Sequence, residues 1–267
     1  MPIKGFKLDS IVADGVGGPE SGAISMIYAM TLHESGQDHY SIIVNQIGDT
    51  VNELIIKGPG KKLHINIRYP PVIDFENKPI KEKNVFRLEV IHQAMLRIQT
   101  EYKEYDRLKL ETIKQSILEK NFNFEYFIKK FSHPKNKKLV AYISVNPQMH
   151  SFDYSLVSTL DGIQTCKIPI YKGLTNTYYL PMFFQKAKWH GEDKIVLTGK
   201  ENIVETHVAL VDKVVSYVNL TKYEKPPLFE LMKAGMPKQA KEKHSLNWRD
   251  SFDKKVVEIH DQTDNLP

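Results

Sequence analysis

The chain has 267 residues, of which 41% are hydrophobic, 26% charged and 10% aromatic, a soluble globular composition able to bury a core without a metal or disulfide staple. Its single cysteine, Cys166, excludes an intramolecular disulfide and any paired-cysteine metal site. A net charge of +5 permits an anionic partner without demanding one, and no apolar run reaches the roughly 18 residues of a membrane span.

The opening "MPIKGFKLDS" lacks the apolar core of a signal peptide. A cytoplasmic, bacterial protein without membrane association is therefore expected. The first 70 residues read as strands: "FKLDSIVA", "GAISMIYAMTL", "HYSIIVNQ", "NELIIKG" and "KLHINIRY", separated by Asp-Gly, Ser-Gly and Gly-Pro-Gly punctuation. Leu63, Ile65, Ile67 and Tyr69 alternate along one face, as in a half-buried strand. Short connections predict an antiparallel meander.

"PPVIDFENKPIKEKN" breaks that pattern, and helix is predicted from about residue 84 to about residue 131. Leu88, Ile91, Met95, Ile98 and Tyr102 form an apolar stripe, with Asn84 as cap and Arg87, Glu89, Gln93 and Arg97 mostly turned away. Leu110, Ile113 and Ile117 continue helical spacing, as do Phe124, Phe127, Ile128 and Phe131. Strands return in "KLVAYISVN", "YSLVSTL", "IQTCKIPIY", "YYLPMFF" and "KIVLT". Pro169 and Pro181 predict edge or irregular positions, because proline cannot donate to a ladder. Val204, Val208, Val211, Val215 and Val218 have helical spacing and predict a late helix. This order gives an α+β fold: a β-rich N-terminal segment, central helices, a second β-rich segment and a late helix. The simplest division is one domain over residues 1–225 and an extension over 226–267. In that extension Trp248 and Phe252 share a helical face, the expected partner-binding element.

The glycine-rich "DGVGGPESG" invites a phosphate-binding reading. A P-loop requires Lys and Ser/Thr after its last glycine, where Ala23 and Ile24 stand. A dinucleotide fingerprint requires glycine at position 20, which is Glu20. "ADGVGG", the later "STLDG" and "NQIGDT" resemble short stretches of the magnesium- or manganese-dependent protein phosphatases. That resemblance implies metal binding by Asp14, the Gly15 carbonyl and Asp161, with hydrolysis of phosphate esters. Asp-Gly is also among the commonest turn dipeptides, and the turn is the reading adopted.

The clusters His33/Glu34/Asp38/His39, His190/Glu192/Asp193 and His150/Asp153 read as solvated polar groups, each short of a ligand set. His92 reads as a partly buried structural histidine and Cys166 as a buried inert thiol. The lysines from 129 to 138 read as a solvated face, so nucleic acid is not an expected partner. The resulting expectation is a non-enzymatic protein-interaction protein of accessory, inhibitor or immunity type, with no cofactor. The alternative is a hydrolase using Mg or Mn at Asp14 and Asp161.

Overall fold

The computed structural model describes residues 6–10, 16–17, 21–49, 51–149, 151–173, 184–199 and 204–219. These hold three α-helices and three four-stranded sheets, an α+β composition. They fall into two compact units. The first runs to Tyr126 and includes Val145–Asp153; the second takes Phe127–Ser144 and everything from Tyr154 to the last strand, apart from a short undescribed stretch. Among the described residues no helix is long and apolar enough to cross a membrane.

In the first unit, β1 (Phe6–Ser10), β2 (Ser41–Ile47), β3 (Leu54–Gly58) and β4 (Lys62–Arg68) form a sheet in the order β1-β2-β4-β3. The expected antiparallel meander is not found. Leu8 pairs with Val44, and Val44 with Ile65, in parallel register; only β3 runs antiparallel, with Ile56 opposite His64. The reason is α1 (Gly22–Glu34), which replaces the predicted second strand. A parallel pair needs a crossover, and this helix supplies it. Nine of its 13 residues are buried, including Ala23, Ile24, Met26, Ile27, Tyr28 and Met30. A helix covered on nearly every side shows no 3.6-residue periodicity.

Leu8, Ile42, Val44, Leu63, Ile65 and Ile67 form the covered face of the sheet. Against β2 and β4 packs α2 (Ile80–Glu101), which buries Leu88, Ile91, Met95 and Ile98 as the stripe predicts. The helix starts a turn earlier than expected, with Pro79 rather than Asn84 at the cap. Arg87, expected to face away, is 2% exposed. Helix α3 (Arg107–Glu119) buries Leu110, Ile113 and Ile117. Its cap is Asp106, whose carboxylate accepts from the amides of Leu108 (2.8 Å) and Lys109 (3.2 Å).

The helix does not continue to 131. Asn121 and Phe122 take left-handed φ values of 48° and 60°, the conformation that ends helices. The aromatic run beyond them is β5 (Tyr126–Ser132). The rest of the described chain is a succession of strands: β6 (Leu139–Pro147), β7 (Phe152–Leu160), β8 (Ile163–Gly173), β9 (Lys186–His190), β10 (Lys194–Thr198), β11 (Val204–Ala209) and β12 (Val214–Asn219). They form two sheets whose neighbours follow chain order, β5-β6-β7-β8 and β9-β10-β11-β12. Pro169 lies in β8, at the end of its sheet, as its missing amide predicts.

The late helix is a hairpin instead. Val208 lies opposite Val215 and Ala209 opposite Val214. Thr206, Val208 and Leu210 are buried in alternation, whereas Val211, Val214 and Val218 are exposed. The valines recur at helical spacing, but burial follows a period of two, which suits β-branched side chains.

Candidate functional site

Of the residues singled out from sequence, Asp14, Gly15, Trp248 and Phe252 lie outside the described residues, as do His150 and Pro181. Asp161 is described. It forms, with Gly162, the two-residue connection between β7 and β8, with φ values of 52° and 81°. Positive φ at both positions is the type I′ hairpin turn, for which Asp-Gly is a preferred sequence. The Asp161 carboxylate meets the Lys138 ammonium at 2.9 Å, both more than half exposed.

Members of the other polar clusters pair with neighbouring side chains. His33 Nδ1 and Asp38 Oδ2 are 2.7 Å apart. Glu192 accepts a hydrogen bond from Asn136 Nδ2 at 2.9 Å, and Asp153 from the Ser151 hydroxyl at 3.1 Å. Burial pushes the Cys166 thiol up, consistent with an inert side chain.

The sequence reading missed the meeting of α1, α2 and α3 around His92. This imidazole is 1% exposed. Its Nδ1 faces the Tyr28 hydroxyl of α1 at 3.5 Å, and its Nε2 stands 3.1 Å from Glu111 Oε2 of α3. Burial drives the Tyr28 pKa far upward, with help from Glu111, Tyr105 and Glu89. The phenol therefore stays protonated and donates to Nδ1, which leaves the imidazole hydrogen on Nε2, donating to Glu111. Burial also holds the His92 pKa below its usual value; Glu111 opposes this and Lys114 reinforces it.

Beside this chain, Lys114 of α3 pairs with Glu89 of α2. Burial works to raise the Glu89 carboxyl, but hydrogen bonds from Gln93 and Lys114 outweigh it and hold the group below its usual range. Glu89 and His92 occupy the second and fifth places of the zinc-binding helical pattern H-E-x-x-H, with Leu88 where the first ligand would stand. Among the described residues no three His, Cys, Asp or Glu side chains are placed to hold a metal. The arrangement can transmit a proton between half-exposed Glu111 and His92, and it locks three helices together. Glu-x-x-His on one helix was the visible signal; that Glu111 would meet it depends on how α3 docks.

A second polar clamp fixes Val16. The Val16 amide donates to Gln46 Oε1 at 2.8 Å, and its carbonyl accepts from Arg87 Nε at 2.9 Å. Gln46 and Arg87 are both buried, and the Arg87 guanidinium lies 5.2 Å from the Phe75 ring centroid. A charged and an amide side chain in this core thus serve to hold the backbone of Val16.

On the sheet's other face, Lys7, Ile43, His64 and Ile56 form one cross-strand row, and Asn45, Asn66 and Leu54 the next. Asn45 Nδ2 donates to Asn66 Oδ1 at 3.0 Å. Ile56 and Leu54, on terminal strand β3, are 55% and 39% exposed. Terminal strand β5 of the second unit exposes Phe127 as well, at 59%, but sets Lys129 and Lys130 beside it, both exposed. No protein-family model, curated protein or solved structure matches this chain.

Proposed function

We propose that the chain is a non-enzymatic interaction protein of accessory, inhibitor or immunity type, which takes an extended segment of a partner polypeptide along the outer edge of β3. The observation behind this reading is the character of that edge. Among the described residues β3 pairs with β4 alone and exposes Leu54 and Ile56. A sheet edge offers unpaired amides and carbonyls as a template, and proteins ordinarily blunt it with charge. On β5 the exposed Phe127 is flanked by Lys129 and Lys130; on β3 both outer-face positions, Leu54 and Ile56, are apolar. An added strand would gain main-chain hydrogen bonds and set alternate side chains beside Leu54 and Ile56.

The reading needs no cofactor and includes a cytoplasmic setting, with Trp248 and Phe252 as a second contact. The magnesium- or manganese-dependent hydrolase has no comparable support, since Asp161 sits in a hairpin turn paired with Lys138. A photoreactive side chain at position 56 tests the proposal in the cells that make the protein. It should trap a polypeptide that the same group at Leu108, 75% exposed on α3, does not. Equal trapping at both positions would remove the β3 edge from consideration.

A further inference from the structure

Tyr40, just before β2, and Tyr102, at the end of α2, hold their ring centroids 6.0 Å apart with planes inclined at 54°. The Lys57 ammonium, from β3, stands 5.6 Å from the first centroid and 5.7 Å from the second. Three nearly equal distances put the cation at the apex of a triangle over both rings, within cation–π range of each. Tyr105 adds a ring 6.3 Å from Tyr40. Glu104 pushes the Tyr40 hydroxyl pKa upward, which places a carboxylate near that ring.

A lysine ammonium is a compact, strongly hydrated charge. On an exposed strand it has water available, yet here it lies over two aromatic rings. The corner therefore attracts cations, and lysine is a poor match for it. Methyl groups on nitrogen spread the charge, reduce hydration and add surface that packs on the rings. A quaternary ammonium gives up less hydration on entry and gains more contact than Lys57 does.

We propose that the Tyr40–Tyr102 corner is a binding site for a quaternary ammonium group, and that Lys57 is its built-in competitor. The group comes either from a choline-like small molecule or from a trimethylated lysine of a polypeptide. Lys57 and Ile55 point to the opposite face of β3 from Leu54 and Ile56, so this site does not depend on strand addition.

Choline titrated into the full chain, followed by tyrosine fluorescence, provides the test. Removing the tethered competitor in Lys57→Gln should tighten choline binding by about tenfold, the factor expected for no longer having to break two cation–π contacts first. Tyr102→Leu on that background should lose binding, whereas Tyr102→Phe, which keeps the ring, should retain it. The neutral isostere 3,3-dimethylbutanol should not bind. A trimethyl-lysine peptide binding more tightly than choline identifies a polypeptide source; weaker binding identifies a small molecule. Lys57→Gln binding choline no better than wild type, or dimethylbutanol binding as well as choline, overturns the proposal.

Discussion

The two units bury polarity in different ways. The first unit buries Gln46, Arg87 and His92, and each holds distant parts of the chain together, by clamping Val16 or by joining α1, α2 and α3. The second buries no charged or amide side chain among its described residues; it buries Ser144, Ser158, Thr206 and the imidazole of His133, which closes a loop and also reaches 58 positions along the chain. There His133 Nδ1 accepts the Asn136 amide at 2.9 Å, while Nε2 donates to the Gly191 carbonyl at 3.0 Å. The contrast follows from topology. Successive hairpins satisfy most of their backbone groups within the ladder, so the His133–Gly191 tie has few counterparts among the described residues there. A crossover unit leaves helix ends and connections such as Val16 to be fastened by distant residues.

The largest expected effect strikes the first unit's core. Ile91→Ala removes a fully buried side chain of α2 and should cost about 2–5 kcal/mol through lost burial and a residual cavity. Chemical denaturation measures it, and an unchanged midpoint would mean that this face of α2 does not carry the core.

Next comes the second unit's local geometry. Gly162 has φ of 81° and no heavy atom near an added Cβ, so Gly162→Val tests backbone conformation alone. It should cost about 1–2 kcal/mol for a left-handed β-branched residue. A neutral result would show that the β7–β8 turn does not set that hairpin.

A smaller effect should depend on pH. The groups facing His92 are Tyr28 from α1, Glu89 from α2, and Glu111 and Lys114 from α3. Burial, aided by Lys114, holds the folded imidazole below its usual value, so the unfolded chain takes up the proton first as pH falls. Its contribution is complete above about pH 6.5, the unperturbed imidazole value, and is lost as pH falls through the folded-state value. Urea midpoints should therefore drop between about pH 7.5 and about pH 5.5, and His92→Gln should flatten that slope. An unaltered slope in the variant would assign the pH dependence to other groups.

The smallest effect belongs to Lys138 and Asp161, an ion pair with both partners more than half exposed. Lys138→Ala should change stability by no more than about 1 kcal/mol. A much larger loss in thermal unfolding would give this pair a structural weight that its exposure does not suggest.

How much of this was legible in the chain varies by element. The α2 and α3 stripes were readable because one side of each faces solvent, which leaves a period in the sequence. Helix α1 was not, because burial on nearly every side erases that period. Its length was the surviving signal: the mostly apolar run of 11 residues from Gly22 to Leu32 exceeds an ordinary strand. In β11 and β12 valines spaced at three and four residues imitated a helix, while their β-branched chemistry pointed the other way. At the candidate sites, the Asp161-Gly162 turn could be read from two adjacent residues. The meeting of His92 with Glu111, and of Lys57 with Tyr40 and Tyr102, could not.

By itself the sequence determined what neighbouring residues decide: the Asp-Gly hairpin, the Asp106 cap, the inward stripes of α2 and α3, and the edge position of Pro169. Each depends on forces acting within a turn or two of chain. Tertiary structure alone decided the parallel pairing of β1, β2 and β4, the burial of Arg87 and His92, and the placement of the Lys57 ammonium over two rings. Those outcomes join residues 17 to 71 positions apart. Hydrophobic periodicity carries no information about such partners, because it records only which side of an element is dry.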